Sequence, residues 1–258
     1  KPRTDFNQIG ATAGGPIIKD KAFIFGGYQR VFAGFAGSST SFETPTAAGL
    51  SALNTLASGD AVRNILAQFP VATSTIRTIS VTNPRTGQTL PVGIGETAAL
   101  APSFFNEHDY LANGDLNLTK HQLRFRYIHN RNARPNLSDP PLTQFSGSVA
   151  VKVHKFSIGD VWTVNSTTVN DFRAGYTRFQ NAFTVPDAFR NFPNVYVTEL
   201  SIFQVGPDGN SPQNSGQNVY QLTEQMTHSR GAHTLKFGAE SRRWIAPGGF
   251  LPRDRGEW

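Results

Sequence analysis

Residues 109–131 read DYLANGDLNLTKHQLRFRYIHNR, and their reading decides the fold. Tyr110, Ala112, Gly114, Leu116 and Leu118 share one parity. Asp109, Asn113, Asp115 and Asn117 take the other, with Leu111 the exception. Beyond Thr119 and Lys120, Leu123, Phe125 and Tyr127 alternate with Gln122, Arg124 and Arg126. Successive side chains leave a strand on opposite faces, so a period of two predicts a hairpin with one apolar and one charged face. Asn113-Gly114 is also a two-residue turn signal. The parity runs unbroken through it, and the strand reading is kept. The apolar face must then meet either a protein core or lipid.

The same pattern recurs on both sides. A short strand over 7–13 is expected to break at Gly14-Gly15-Pro16, turn at Lys19-Asp20-Lys21 and return over 22–35. The interval 36–106 is expected to be a long loop carrying two short helices, over 46–57 and 60–69. Thr46 and Asp60 are their expected N-caps, and Pro70 stops the second. A small hairpin is expected over 75–82 and 88–94. After a loop over 132–147 containing Pro135, Pro140 and Pro141, long strands over 149–164 and 168–183 pair across 165–167. A further loop over 185–216 leads to strands 218–227 and 234–244. Phe172, Ala174 and Tyr176 oppose Asp171 and Arg173; Leu235, Phe237 and Ala239 oppose Lys236, Glu240 and Arg242.

Four hairpins result, with short internal turns and long connections between them. In an antiparallel meander the turns gather at one end and the connections at the other. Short turns at one end and long loops at the other are the pattern of outer-membrane barrels. A soluble β-sandwich or propeller also alternates. Its strands, however, are typically about 5–6 residues, and the runs over 149–164 and 168–183 are far longer. Lipid-crossing strands need about 9–11 residues. The expected fold is all-β: an antiparallel transmembrane β-barrel segment of about eight long strands, placed in the bacterial outer membrane.

Composition agrees. The 258 residues contain 0 Cys, which excludes a disulfide framework and a thiolate metal site. No run approaches the ~18 apolar residues of a membrane helix, so any membrane reading must be a barrel. Only 16% of residues are charged, against about a quarter in soluble domains. The net charge of +6 is scattered, with no dense basic run, and no nucleic-acid partner is expected. The chain starts at Lys1, carries no secretory signal pattern and stops at Trp258; it is read as a piece of a longer protein.

Site chemistry is sparse. None of the six His pairs with a Glu at zincin spacing. Asp208-Gly209-Asn210 lacks the spaced acids of a calcium loop, and Gly14-Gly15 and Gly26-Gly27 lack phosphate-loop spacing. No GxSxG is present. No catalytic residue, metal or cofactor is expected, and the protein is not expected to be an enzyme. Asp115, Arg124, Arg126, Asp171, Arg173, Lys236, Glu240 and Arg242 are expected to face a lumen. Leu116, Leu118, Leu123, Phe125, Tyr127, Phe172, Tyr176, Leu235 and Phe237 are expected to face lipid. Tyr110, Tyr127, Trp162 and Tyr176 are candidates for interfacial girdles. Asp160 and Glu224 fall on the apolar parity, so either the phase slips there or they lie outside the hydrocarbon band.

The segment 7–28, NQIGATAGGPIIKDKAFIFGGY, resembles an early barrel segment of TonB-dependent receptors of the Oar-like type, which often carry a carboxypeptidase-regulatory-like domain. Residues 115–123 (DLNLTKHQL), 159–164 (GDVWTV) with 169–176 (VNDFRAGY), and 230–238 (RGAHTLKFG) resemble later hairpins of that group, in the same order. The resemblance covers most of the chain outside the long loops. It implies an arc of a large barrel, about 22 strands in such transporters. It also implies energised uptake of a siderophore, glycan or peptide, coupled to a TonB-type inner-membrane complex through a plug domain. The plug, the coupling box and the closing strands are not visible in this sequence. A surface adhesin-like or structural barrel with binding loops is the alternative. The loops 36–106 and 185–216 are the expected ligand contacts.

Overall fold

The computed structural model describes residues 4–35, 37, 39–101, 103–136, 142–200 and 203–258. Eight long strands form one antiparallel meander: β1 (Thr4–Ile18), β2 (Ala22–Phe35), β6 (Phe104–Asn117), β7 (His121–Pro135), β8 (Ser148–Asn165), β9 (Thr168–Phe183), β12 (Gln213–Arg230) and β13 (His233–Ile245). They neighbour one another in that order, and β14 (Gly248–Gly249) pairs with the start of β12. Within the long interval, β3 (Ser39–Pro45), β5 (Thr89–Leu100) and β4 (Arg77–Thr82) form a separate sheet beside helices α1 (Ala47–Leu56) and α2 (Asp60–Leu66). A third connection carries the small pair β10 (Val195–Val197) and β11 (Phe203–Val205). No helix among the described residues is long and apolar enough to cross a membrane, which says nothing against strands doing so.

The central hairpin forms as its parity requires. Asp109 pairs with Asn130, and the ladder runs without a shift to Asn117 and Gln122. Gly114 pairs with Phe125 inside it, so Asn113-Gly114 is strand and not turn. The parity wins because a turn there would break the pairing of Leu116 with Leu123. Leu118 lies one residue past the end of β6, and it continues the register of Leu116 with Leu123, opposite His121. Its N–H donates to the His121 carbonyl at 2.8 Å, the bond that closes the hairpin across Thr119-Lys120.

Other boundaries move outward. β1 does not break at Gly14-Gly15-Pro16 but runs to Ile18. Pro16 is tolerated because the β1–β2 register shifts directly after it, between Pro16 and Ile18, and a bulge is a position that accepts proline. Gly14 is needed there: a Cβ on it would lie 2.8 Å from the Phe25 ring and 2.9 Å from the Ile24 carbonyl. β7 absorbs 132–135 of the expected loop, and β12 begins at Gln213, inside the expected loop 185–216. Pro140 and Pro141 lie outside the described residues. Thr46 caps α1, accepting from the Gly49 N–H at 3.2 Å. Asp60 is not a cap: it is the first helical residue, and Gly59 before it offers no side chain.

The connections are not loose. Phe42, Leu66, Phe69, Val92 and Ile94 from the first pack with Leu142 and Phe145 from the second and Leu200 and Val205 from the third. Val92, Ile94, Phe145 and Val205 are completely buried. Three connections that are remote in sequence thus share one hydrophobic core at the loop end. Opposite it, the turns span only 19–21, 118–120, 166–167 and 231–232.

The core is tightest where β5 passes under residues 72–74. A Cβ on Gly95 would stand 1.8 Å from the Ser74 carbonyl and 2.7 Å from the Ala72 Cβ. Gly95→Ala is therefore expected to destabilise this core by at least the ~1–3 kcal/mol typical of overpacking. Hydrogen exchange should show protection lost in α1, α2 and β3–β5 while β6–β9 keep theirs.

Candidate functional site: two sheet faces and a loop core

Register assigns every strand residue to one of two faces. Asp115, Arg124, Arg126, Asp171, Arg173, Lys236, Glu240 and Arg242 all fall on one, the charged face. Asp115 lies directly opposite Arg124, yet its ion pair is diagonal: Arg126 Nη1 donates to Asp115 Oδ1 at 2.9 Å. Arg173 grips Asp171 with two donors, at 2.9 and 2.6 Å. Arg242 pairs with Glu240 at 2.6 Å, and Gln221 donates to the same carboxylate at 3.1 Å. A pocket of about 260 Å³ gathers Gln122, Arg124, Arg126, Asp171 and Arg173. Glu240 lies two strands along the row of Arg173, by way of Thr223. Such half-exposed pairs are each worth ~0–1 kcal/mol, so they balance charge rather than hold the sheet together.

Leu116, Leu123, Phe125, Tyr127, Phe172, Tyr176, Leu235 and Phe237 share the other, apolar face. None of them is buried: Phe125 is 46% exposed, Phe237 58% and Leu235 61%. An uncovered row of this kind on ordered strands implies an apolar surrounding.

Aromatic rings cross this face toward the loop end. Tyr127 stacks on Phe156 at 4.5 Å, and Tyr176 lies 5.0 Å from Tyr220. One row higher, Tyr28 meets Tyr110 at 5.0 Å, Tyr110 meets His129 at 5.5 Å, and His129 stacks on His154 at 4.2 Å. Toward the turn end Trp162 stacks on His121 at 5.5 Å. His121 in turn bonds Asp160 at 2.7 Å, and Asn170 donates to Glu224. The two carboxylates thus sit on the apolar face without a phase slip. The ladder around Asp160 is unbroken from Val149 to Thr163. Tyr28, His129, His154, Phe156 and Tyr220 were not anticipated as belt members. Their parity was readable, but their alignment needed the register between hairpins.

The loop core has its own polar clasps. Arg77 donates to Glu43 at 2.9 and 2.5 Å and to the Glu199 carbonyl at 2.5 Å, tying the first connection to the third. The hydrogen bonds from Arg77 hold the Glu43 carboxyl below its ordinary range. Arg255 donates to four carbonyls, of Phe192, Pro207, Asp208 and Ser211, at 2.5 to 3.1 Å. Between the helices and β10 lies an apolar cleft of about 530 Å³, lined by Leu53, Ile65, Phe69, Ile79, Val197 and Leu200 among others. Among the described residues no group of three or more His, Asp or Glu is placed to hold a metal.

A family model described as "Outer membrane beta barrel domain" matches residues 1–250. No curated protein and no solved structure matches the chain.

Two changes test the clasps. The Glu43 pKa is depressed in the fold, so its contribution is present above the ordinary carboxylate pKa, about 4.3, and is lost as pH falls through the depressed value. Intrinsic-rate-corrected exchange protection of residues 39–45 should hold from about pH 7 to 5 and fall below about pH 4. Glu43→Gln should show the low value already at neutral pH. Arg255→Ala removes a charged donor from four carbonyls and should cost the loop core about 2–3 kcal/mol in a denaturant titration.

Proposed function

Because the chain belongs to the outer membrane beta barrel domain family and so to an outer-membrane protein, we propose that it forms an arc of a TonB-dependent receptor that captures a ligand at its loop end. The apolar face contacts lipid, and the charged face lines the lumen. The core shared by three connections carries this reading: loops that only join strands need no common core, whereas a binding surface must be held rigid. A soluble plug inside the barrel suits a wall of mixed charge on which several ions, such as Arg126–Asp115 and Arg173–Asp171, pair with one another. Among the described residues β1 and β13 each pair on one side only. In hydrocarbon an open edge leaves backbone groups unsatisfied, at several kcal/mol each. Further strands are required to complete the wall, as a large barrel provides. The likeness of 7–28, 115–123, 159–164 with 169–176, and 230–238 to Oar-like receptors supports the same assignment.

The role assigned is uptake without catalysis. Cells deleted for the full-length gene are tested for growth on ferric siderophores, oligosaccharides or peptides as the limiting nutrient. A defect with one class is expected, restored by the wild-type gene and abolished again in a host lacking the energy-coupling complex. Purified protein should not hydrolyse that compound. Binding at the surface with no energised accumulation would instead identify an adhesin-like barrel.

A further inference from the structure

The two faces differ in whether carboxylates stand among their basic residues. On the charged face Arg126, Arg173 and Arg242 each hold a carboxylate, and Arg124 and Lys236, which hold none among the described residues, have Asp115 opposite or acidic residues on the same face. On the apolar face Arg30, His108, Arg131 and Lys152 are successive partners across β2, β6, β7 and β8. Arg131 and Lys152 are directly opposed cations, and Arg30 and Arg131 flank His108. Cβ atoms of opposed residues lie about 4.5–5.5 Å apart, and like charges placed so are destabilising. Arg178 lies one row nearer the turns, beside His154. Among the described residues none of Arg30, Arg131, Lys152 and Arg178 forms an ion pair. The rows from Tyr127 to Ala133 bring no carboxylate onto this face.

The row's height gives the second argument. It lies immediately beyond the aromatic belt of Tyr127, Phe156, Tyr176, Tyr28 and Tyr110, on the loop side. From Trp162 to Lys152 is ten residues. At ~3.3 Å per residue and a tilt of about 40°, that is roughly 25 Å, the height of a barrel's apolar band. The cations therefore stand at headgroup level, where a strand can project charge outward without entering hydrocarbon.

We propose that Arg30, Arg131, Lys152 and Arg178 form a binding row for the phosphates of a phosphorylated glycolipid, lipid A, in the outer leaflet. The proposal rests on the lipid-facing assignment of the apolar face. Guanidinium groups hold phosphate oxygens bidentately, and lysine adds a point charge. A diphosphorylated headgroup would offset the repulsion of Arg131 and Lys152 and span neighbouring strands. The loop end selects the leaflet, since long loops lie outside the cell.

The test uses the full-length protein in detergent, titrated with bis-phosphorylated lipid A, dephosphorylated lipid A or phosphatidylglycerol and read by native mass spectrometry. Bis-phosphorylated lipid A should bind about tenfold tighter than either of the others. Arg131→Gln with Lys152→Gln should remove that preference, Lys152→Arg should keep it, and Lys19→Gln with Lys21→Gln at the turn end should leave it intact. Heat-modifiable gel mobility confirms that each variant is folded. Equal binding of the two lipid A forms, or an unaffected double variant, overturns the proposal. Equal binding of phosphatidylglycerol overturns the assignment to glycolipid. A Phe156→Trp variant in vesicles of acyl-brominated lipid separates the layers of the argument. Quenching of its added fluorescence without a phosphate preference sinks the binding row alone, whereas absence of quenching sinks the lipid-facing assignment.

Discussion

The constraint on which everything else depends is antiparallel register. In a two-residue repeat, a slip of one residue moves every side chain to the opposite face. From β6 to β9 the ladders run without a shift except next to the β8–β9 turn, between Thr163 and Asn165. That continuity keeps Phe125, Ile158, Ala174 and Leu222 in one row and Arg124, Gly159, Arg173 and Thr223 in the next. A slip at β7 would place Arg124 and Arg126 among the aromatic rings and Phe125 among the ion pairs. Both errors carry a desolvation or exposure cost, so the two faces enforce one register together.

Hairpins were legible because their evidence is local. The alternation of Leu123, Phe125 and Tyr127 with Arg124 and Arg126 needs no knowledge of other strands. Where the reading failed, a local signal competed with a tertiary one. Gly14-Gly15-Pro16 looks like a break until the register shift after Pro16 and the packing of Gly14 against Phe25 are known. Asp60 has the right chemistry for a cap and stands one residue late. The aromatic belt was only half legible, because Tyr28, Phe156 and Tyr220 enter it through pairings across connections whose lengths hide the alignment.

The loop core shows why long connections here differ from linkers. Their apolar residues are spread thinly: Phe42 and Ile94 lie in one connection, Phe145 in another and Val205 in a third. No single connection carries a periodic pattern strong enough to announce a core of its own. The strands bring the three connections to one end, and only then do their apolar side chains find each other. The ordering entropy of each connection, ~1–2 kcal/mol per residue, is thus offset by burial that the other two supply. Arg77 and Arg255 add direction, because each joins segments more than forty residues apart.

One residue type reports the surroundings of both faces. A half-exposed arginine in water gains little from a carboxylate and loses little without one. The charged face, with Arg126 on Asp115 and Arg124 beside them unpaired among the described residues, suits the wet interior proposed for it. The apolar face gives its arginines no such option. Below them lie aromatic rings and aliphatic side chains; above them the strands meet the loop core. Arg30 lies 4.9 Å over the Phe32 ring and Arg178 donates to Asn218 at 3.4 Å, contacts that leave the positive charge to be matched by water or by an anion from outside the protein. Arginine and histidine alternate along neighbouring strands there instead of arginine and glutamate. The height of the cations above the rings, and not their number, sets the chemistry to which this face can respond.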